Sequence, residues 1–149
     1  MDRPSRSYTG IMPGVGKDKR AVPKRKLLII DDDRAFVVLA AAILRDAGFM
    51  VLEAHDAMQG FGYVAQDPPS IILLDMNMPA GGGLSILQKV QGIPRMARIP
   101  IVVVTASTDE GLEELVRTKG AVDLLRKPVD RDRLVQMVNS ILDIAPKKP

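Results

Sequence analysis

The sequence predicts an α/β fold, a parallel five-stranded sheet with helices on both faces. Three observations carry that prediction: five short apolar runs of strand length, intervening stretches with apolar residues at helical spacing, and regular alternation of the two from Lys26 onward. Strands joined through helices run parallel, because parallel neighbours need long connections and those connections cover the sheet.

The apolar runs are Leu27 to Ile30, Phe49 to Leu52, Ile71 to Leu74, Ile101 to Val104 and Val122 to Leu125. The third and fourth are continuously apolar, as strands buried on both faces are. Between the first two, Arg34 to Ala47 carries Val37, Val38, Ala41 and Leu44 at helical spacing. Gly83 to Val90 does the same with Leu84, Leu87 and Val90, and Asp130 to Asp143 with Leu134, Val135, Val138, Ile141 and Leu142. Gly48 stops the first helix, and Gly120 stops the one from Asp109 to Lys119. The order is β-α repeated five times. Right-handed crossovers leave few topologies for it, and the common one is the flavodoxin-like (βα)5 three-layer sandwich with strand order 2-1-3-4-5.

Residues 1–25 mix prolines and glycines with basic and small polar residues, without periodicity, and are expected to form a flexible basic extension. The folded domain is expected over 26–145, with a short tail at 146–149. Residues 1–26 hold eight Lys/Arg against two acids, whereas the rest of the chain holds 13 against 16. The high pI therefore belongs to the extension, and no direct DNA binding is expected from the folded domain. The chain has no cysteine, which excludes disulfides, thiol nucleophiles and cysteine-ligated metals and suits a reducing cytoplasm. No apolar run approaches the ~20 residues of a membrane span, so a soluble cytoplasmic protein is expected. The stretch before Gly16-Lys17 lacks the first glycine and the hydroxyl of a P-loop, and Gly81-Gly82-Gly83 lacks dinucleotide-binding spacing. His55 is the only histidine, which excludes a multi-histidine metal site, and is expected on the surface near the second strand.

Ligand sites of such sheets lie beyond the carboxyl ends of the strands. Those ends carry Asp31-Asp32-Asp33 after the first run, Asp75 after the third, Thr105 after the fourth and Lys127 soon after the fifth. Carboxylates next to buried strands need a cation or strong donors, and Mg²⁺ meets that need with oxygen ligands while keeping room for phosphate oxygens. With Asp31, Asp32 and Asp75 around such an ion, Asp75 is placed as a nucleophile toward phosphorus. Lys127 can neutralise the phosphoryl oxygens and Thr105 can donate to one of them.

The segments Lys26-Leu-Leu-Ile-Ile-Asp-Asp-Asp-Arg34, Ile71-Ile-Leu-Leu-Asp-Met-Asn-Met-Pro79, Ile101-Val-Val-Val-Thr-Ala-Ser107 and Arg126-Lys-Pro-Val129 strongly resemble the receiver domain of two-component response regulators. Asp75 follows Asp32 by 43 residues, Thr105 follows Asp75 by 30 and Lys127 follows Thr105 by 22, spacings that match the family. The resemblance covers about residues 26–143. It implies that Asp31 and Asp32 bind Mg²⁺, with Mn²⁺ able to substitute, that Asp32 is the direct ligand, and that the backbone carbonyl of Asn77 completes the metal shell. It also implies that Asp75 is the phosphoacceptor, Thr105 the switch hydroxyl and Lys127 the phosphate-pairing lysine, with a cis Lys127-Pro128 bond. Asp33, one step beyond the acidic pair, is expected to be only a helix N-cap.

A histidine kinase or phosphotransfer protein is then the expected donor. The target is expected to be a protein docking on the surface of the fourth helix, fifth strand and fifth helix. Such a chain is a signalling phosphoprotein, not an enzyme, whose own chemistry is phosphoryl transfer to Asp75 and slow autodephosphorylation. A stand-alone regulator is the leading reading, since no output module follows the last helix. A phosphohydrolase of the haloacid dehalogenase type would need a second aspartate two residues after Asp75, where Asn77 stands. One departure concerns Leu124, which occupies the position where the family usually carries a rotating aromatic. That substitution predicts a smaller shift of the output surface on phosphorylation.

Overall fold

A computed structural model describes residues 25–143. Five parallel strands form one sheet in the order β2-β1-β3-β4-β5, and five α-helices connect and follow them. The strands are β1 (Lys26–Ile30), β2 (Met50–Ala54), β3 (Ile71–Leu74), β4 (Ile101–Thr105) and β5 (Asp123–Arg126). The helices are α1 (Arg34–Asp46), α2 (Ala57–Gln66), α3 (Gly82–Gly92), α4 (Leu112–Thr118) and α5 (Arg131–Ile141), and a 3₁₀ turn at Pro79–Gly81 leads into α3. The expected three-layer sandwich is thus the observed one. Arg25, at the end of the expected extension, accepts through its carbonyl from Met50 N at 2.9 Å. The rest of the expected extension, and the tail at 146–149, lie outside the described residues.

Period-two alternation along the strands sorts the core onto two faces. Leu28, Ile30, Ile72, Leu74, Ile101 and Val103 pack with Val64 of α2, Ile86, Leu87 and Val90 of α3 and Val116 of α4. Leu27, Ile29, Ile71, Leu73, Val102 and Val104 pack with Val37, Ala41 and Leu44 of α1 and Leu134 and Val138 of α5. β3 and β4 are buried along their whole length, as expected of central strands.

Three of the five α-helices start at a side-chain cap. Asp33, Asp56 and Asp130 adopt extended backbone before α1, α2 and α5, and their carboxylates accept from the amides of Phe36, Gln59 and Arg133. Gly48 and Gly120 take positive φ values of 102° and 109° just past α1 and α4, the left-handed stop expected there.

Three details depart from expectation. Val38 is 67% exposed, and Phe36, Ala40 and Ile43 complete the buried face of α1 instead. Val122 is exposed, so β5 begins at Asp123 rather than one residue before. His55 is half-buried rather than on the surface: it directly follows β2, and its Nδ1 is buried without a partner among the described residues. Among the described residues no helix is long and apolar enough to cross a membrane.

Candidate functional site at the carboxyl edge of the sheet

The sheet order places β1 beside β3 and β3 beside β4, so residues following these strands converge on one edge. Asp31 leaves β1 with its amide on the Ala54 carbonyl at 3.0 Å, and Asp75 leaves β3 with its amide on the Ile30 carbonyl at 3.0 Å. These backbone bonds extend the ladder past the last strand residues and fix where each carboxylate starts. Asp31 is 1% exposed, Asp75 5% and Thr105 0%. Oxygens of Asp31, Asp32 and Asp75 all lie within 4.8 Å of one another.

One Asp31 oxygen accepts the Asp33 amide at 2.9 Å. The other, Oδ2, lies 2.7 Å from Lys127 Nζ, a charge contact that is not aligned as a hydrogen bond. Burial pushes the Asp31 carboxyl up from 3.8 to about 6, and the neighbouring charge of Asp75 adds to the rise, while Lys127 and the Asp33 amide oppose it. Three carboxylates gathered this closely, one oxygen without an aligned donor, form an all-oxygen set that fits a hard divalent cation such as Mg²⁺.

Lys127 follows β5, and its amide bonds the Thr105 carbonyl at 2.7 Å before the cis Lys127-Pro128 bond. Its ammonium also sits 3.6 Å from Asp33 Oδ2 and 4.4 Å from the centroid of the Phe36 ring. Lys127 therefore pairs with Asp31 and Asp33 here. Asp33 does more than cap α1, since one oxygen holds the Phe36 amide at 3.1 Å while the other faces Lys127.

Thr105, the last residue of β4, has its hydroxyl oxygen accepting from Asn77 Nδ2 at 2.8 Å and from Ser107 N at 3.2 Å. Asn77 N in turn donates to Asp75 Oδ1 at 3.1 Å. Asn77 thus joins the carboxylate to the hydroxyl through its own backbone and side chain, a link that strand patterning does not reveal. The loop from Asp75 is crossed at short range by the start of α3. A Cβ on Gly83 would lie 2.4 Å from the Asp75 carbonyl oxygen and 2.5 Å from Met76 Cα, so this position accepts no side chain.

The structure gathers the residues read from the strand ends, Asp31, Asp32, Asp33, Asp75, Thr105 and Lys127, at this single edge, together with Asn77, which the resemblance named. Two buried carboxylates and an exposed one, a buried hydroxyl and a lysine thus meet at the edge of a 2-1-3-4-5 sheet. The chain belongs to the response regulator receiver domain family, whose pattern matches residues 27–139. It is 29% identical over 117 residues to Protein PilH of Pseudomonas aeruginosa, covering 78% of this chain and 97% of that one. It is 34% identical over 116 residues to Response regulator PleD of Caulobacter vibrioides, covering 78% of this chain but 26% of that longer protein. The crystal structure of a CheY-like receiver domain protein from Methanospirillum hungatei JF-1 superposes with a TM-score of 0.74 at 25% identity, covering 81% of this chain and 95% of that one. The chain is thus a receiver of two-component signalling.

Proposed function

We propose that Asp75 is the residue that accepts the phosphoryl group, and that Asp31 and Asp32, with the Asn77 backbone carbonyl, hold Mg²⁺ beside it. The observation that carries this reading is the meeting of the Asp31, Asp32 and Asp75 carboxylates within 4.8 Å, from two strands far apart in sequence. A lone surface acid would need no such company.

In the transfer step an Asp75 carboxylate oxygen forms a bond to phosphorus. The bond from phosphorus to the donor, a histidine nitrogen of a kinase or phosphotransfer protein, breaks, and the imidazole keeps the electron pair. When bound, the metal supplies positive charge to the phosphoryl oxygens. Lys127 leaves Asp31 and Asp33 to pair with a phosphoryl oxygen, and the Thr105 hydroxyl turns from Asn77 and Ser107 to donate to another. Asn77 N holds the Asp75 carboxylate in position throughout. Water later attacks phosphorus, the bond from phosphorus to the Asp75 oxygen breaks, inorganic phosphate leaves and the carboxylate is restored, and this slow turnover is the chain's own chemistry. In this reading it acts in the cytoplasm, and its target docks on the α4, β5 and α5 surface.

Mass spectrometry after incubation with acetyl phosphate and Mg²⁺ tests the assignment. The wild type gains one phosphoryl group and Asp75→Asn gains none. Equal labelling of both would place the acceptor elsewhere.

A further inference from the structure

The site ends in a buried hydroxyl, while the face expected to meet partners lies across β5, where Leu124 is 8% exposed and packed in the core. A small aliphatic side chain held there has no large rotation with which to report a change at Thr105. Arg126, however, bridges the same gap. It is the last residue of β5 and is paired in the sheet with Thr105. Its guanidinium donates through Nη1 to the Ser107 carbonyl and through Nη2 to the Asp109 carbonyl at 3.1 Å.

Those two carbonyls belong to the loop that leads from Thr105 into α4. The loop is otherwise tied by short local bonds, Asp109 N to Ser107 Oγ at 3.1 Å and Gly111 N to Asp109 Oδ1 at 3.0 Å. Among the described residues, its one hydrogen bond to the site is Ser107 N on the Thr105 hydroxyl at 3.2 Å. Arg126 also lines an open cleft of about 380 Å³ with Glu113, Leu124, Val129, Asp130 and Arg133, between α4 and α5.

We propose that Arg126 is a positioning residue that carries the state of Thr105 to the α4, β5 and α5 surface. This inference rests on Asp75 being the phosphoacceptor. When the Thr105 hydroxyl turns toward a phosphoryl group, Ser107 N loses its acceptor and the loop is free to shift. A guanidinium holding two carbonyls of that loop either follows them or releases them, and in both cases its charge moves within the cleft. Arginine suits the task because its planar fork satisfies two acceptors at once and stays charged at every working pH.

The test compares wild type, Arg126→Leu and Arg126→Lys by amide NMR shifts, without ligand and with fluoroberyllate and Mg²⁺, alongside mass spectrometry after acetyl phosphate. In the wild type, shifts are expected both around Asp75, Thr105 and Ser107 and along Leu112–Thr118. Arg126→Leu is expected to keep its phosphoryl adduct and the shifts around Thr105 while losing those of α4. Arg126→Lys, able to hold one carbonyl, retains part of them. A residue that merely braced the loop would lower stability without separating the two sets of shifts. Full α4 shifts in Arg126→Leu overturn the proposal, as does a wild type that responds around Thr105 but not in α4. A wild type that gains no adduct removes the Asp75 reading, and the Arg126 proposal with it. Should Arg126→Leu not fold, Arg126→Lys carries the same comparison, and α4 shifts equal to wild type at a lysine that no longer spans both carbonyls count against it.

Discussion

Asp31 is buried beside a second carboxylate, and that placement sets how the site responds to pH. Its folded-state value of about 6 lies above the ordinary 3.8, so its contribution to stability is fully present below 3.8 and is lost as pH rises through 6. At neutral pH the metal-free protein therefore carries a charged group that folding disfavours, an effect on the order of 3 kcal/mol. Asp31→Asn is expected to raise the metal-free melting temperature at pH 7.5 and to raise it by about half as much at pH 5. Thermal melts in chelator at the two pH values measure this, and an equal gain at both would contradict it. Asp33 has a different balance of roles. Asp33→Ala removes the cap on Phe36 N and is expected to cost about 1 kcal/mol, whereas Asp33→Asn keeps the cap and costs less, as urea denaturation would resolve.

The helices depend on two kinds of contact, and they differ in how far the sequence reveals them. Leu44 is fully buried on α1 while Val38, on the same helix, is 67% exposed. Leu44→Ala is accordingly expected to lose about 2–5 kcal/mol of unfolding free energy, and Val38→Ala to change it by less than about 0.5 kcal/mol. Helical spacing alone admitted Val38, because α1 also carries Phe36, Ala40 and Ile43 and its apolar stripe is wide enough to be drawn around either set. The strands were easier to read. β3 and β4 are buried on both faces and therefore apolar without interruption, whereas β5 lies at the sheet edge, where the exposed Val122 blurred its start. The strand ends gave the site because acids, a hydroxyl and a lysine stand out after apolar runs. The Asn77 bond to Thr105 and the Arg126 grip on Ser107 and Asp109 join elements far apart in the chain and leave no local pattern. Close approach of α3 to the Asp75 loop is equally silent in sequence. Gly83→Ala would press a methyl group against the backbone of Asp75 and Met76, and is expected to cost about 3 kcal/mol and to weaken Mg²⁺ binding. Denaturation and calorimetric titration check the two effects separately.

At the scale of the whole molecule, one sheet carries both apolar clusters, and the site is built only where its strands meet. A cation held by that site binds the folded chain and not the unfolded one. Mg²⁺ at about 100 times its dissociation constant is expected to add about 2.7 kcal/mol to the unfolding free energy. The gain should vanish in Asp31→Asn/Asp75→Asn, and a melting temperature in the double variant that still climbed with Mg²⁺ would place the ion elsewhere.

The interior position of β1 has a further consequence for how the chain reaches this state. β1 pairs with β2 on one side and with β3 on the other, joining Leu27 to Val51 and to Ile71. Parallel pairing of this kind closes long loops before any contact rewards them, which slows folding relative to helical bundles of similar size. A chain leaving the ribosome has exposed β1 well before β3 exists to cover its second edge. Until then Leu27, Leu28, Ile29 and Ile30 form an apolar segment half satisfied at best, and Asp31, Asp32 and Asp33 directly behind it place like charges where two such segments would otherwise associate. The acids that later assemble the site thus also stand guard behind an apolar strand during synthesis.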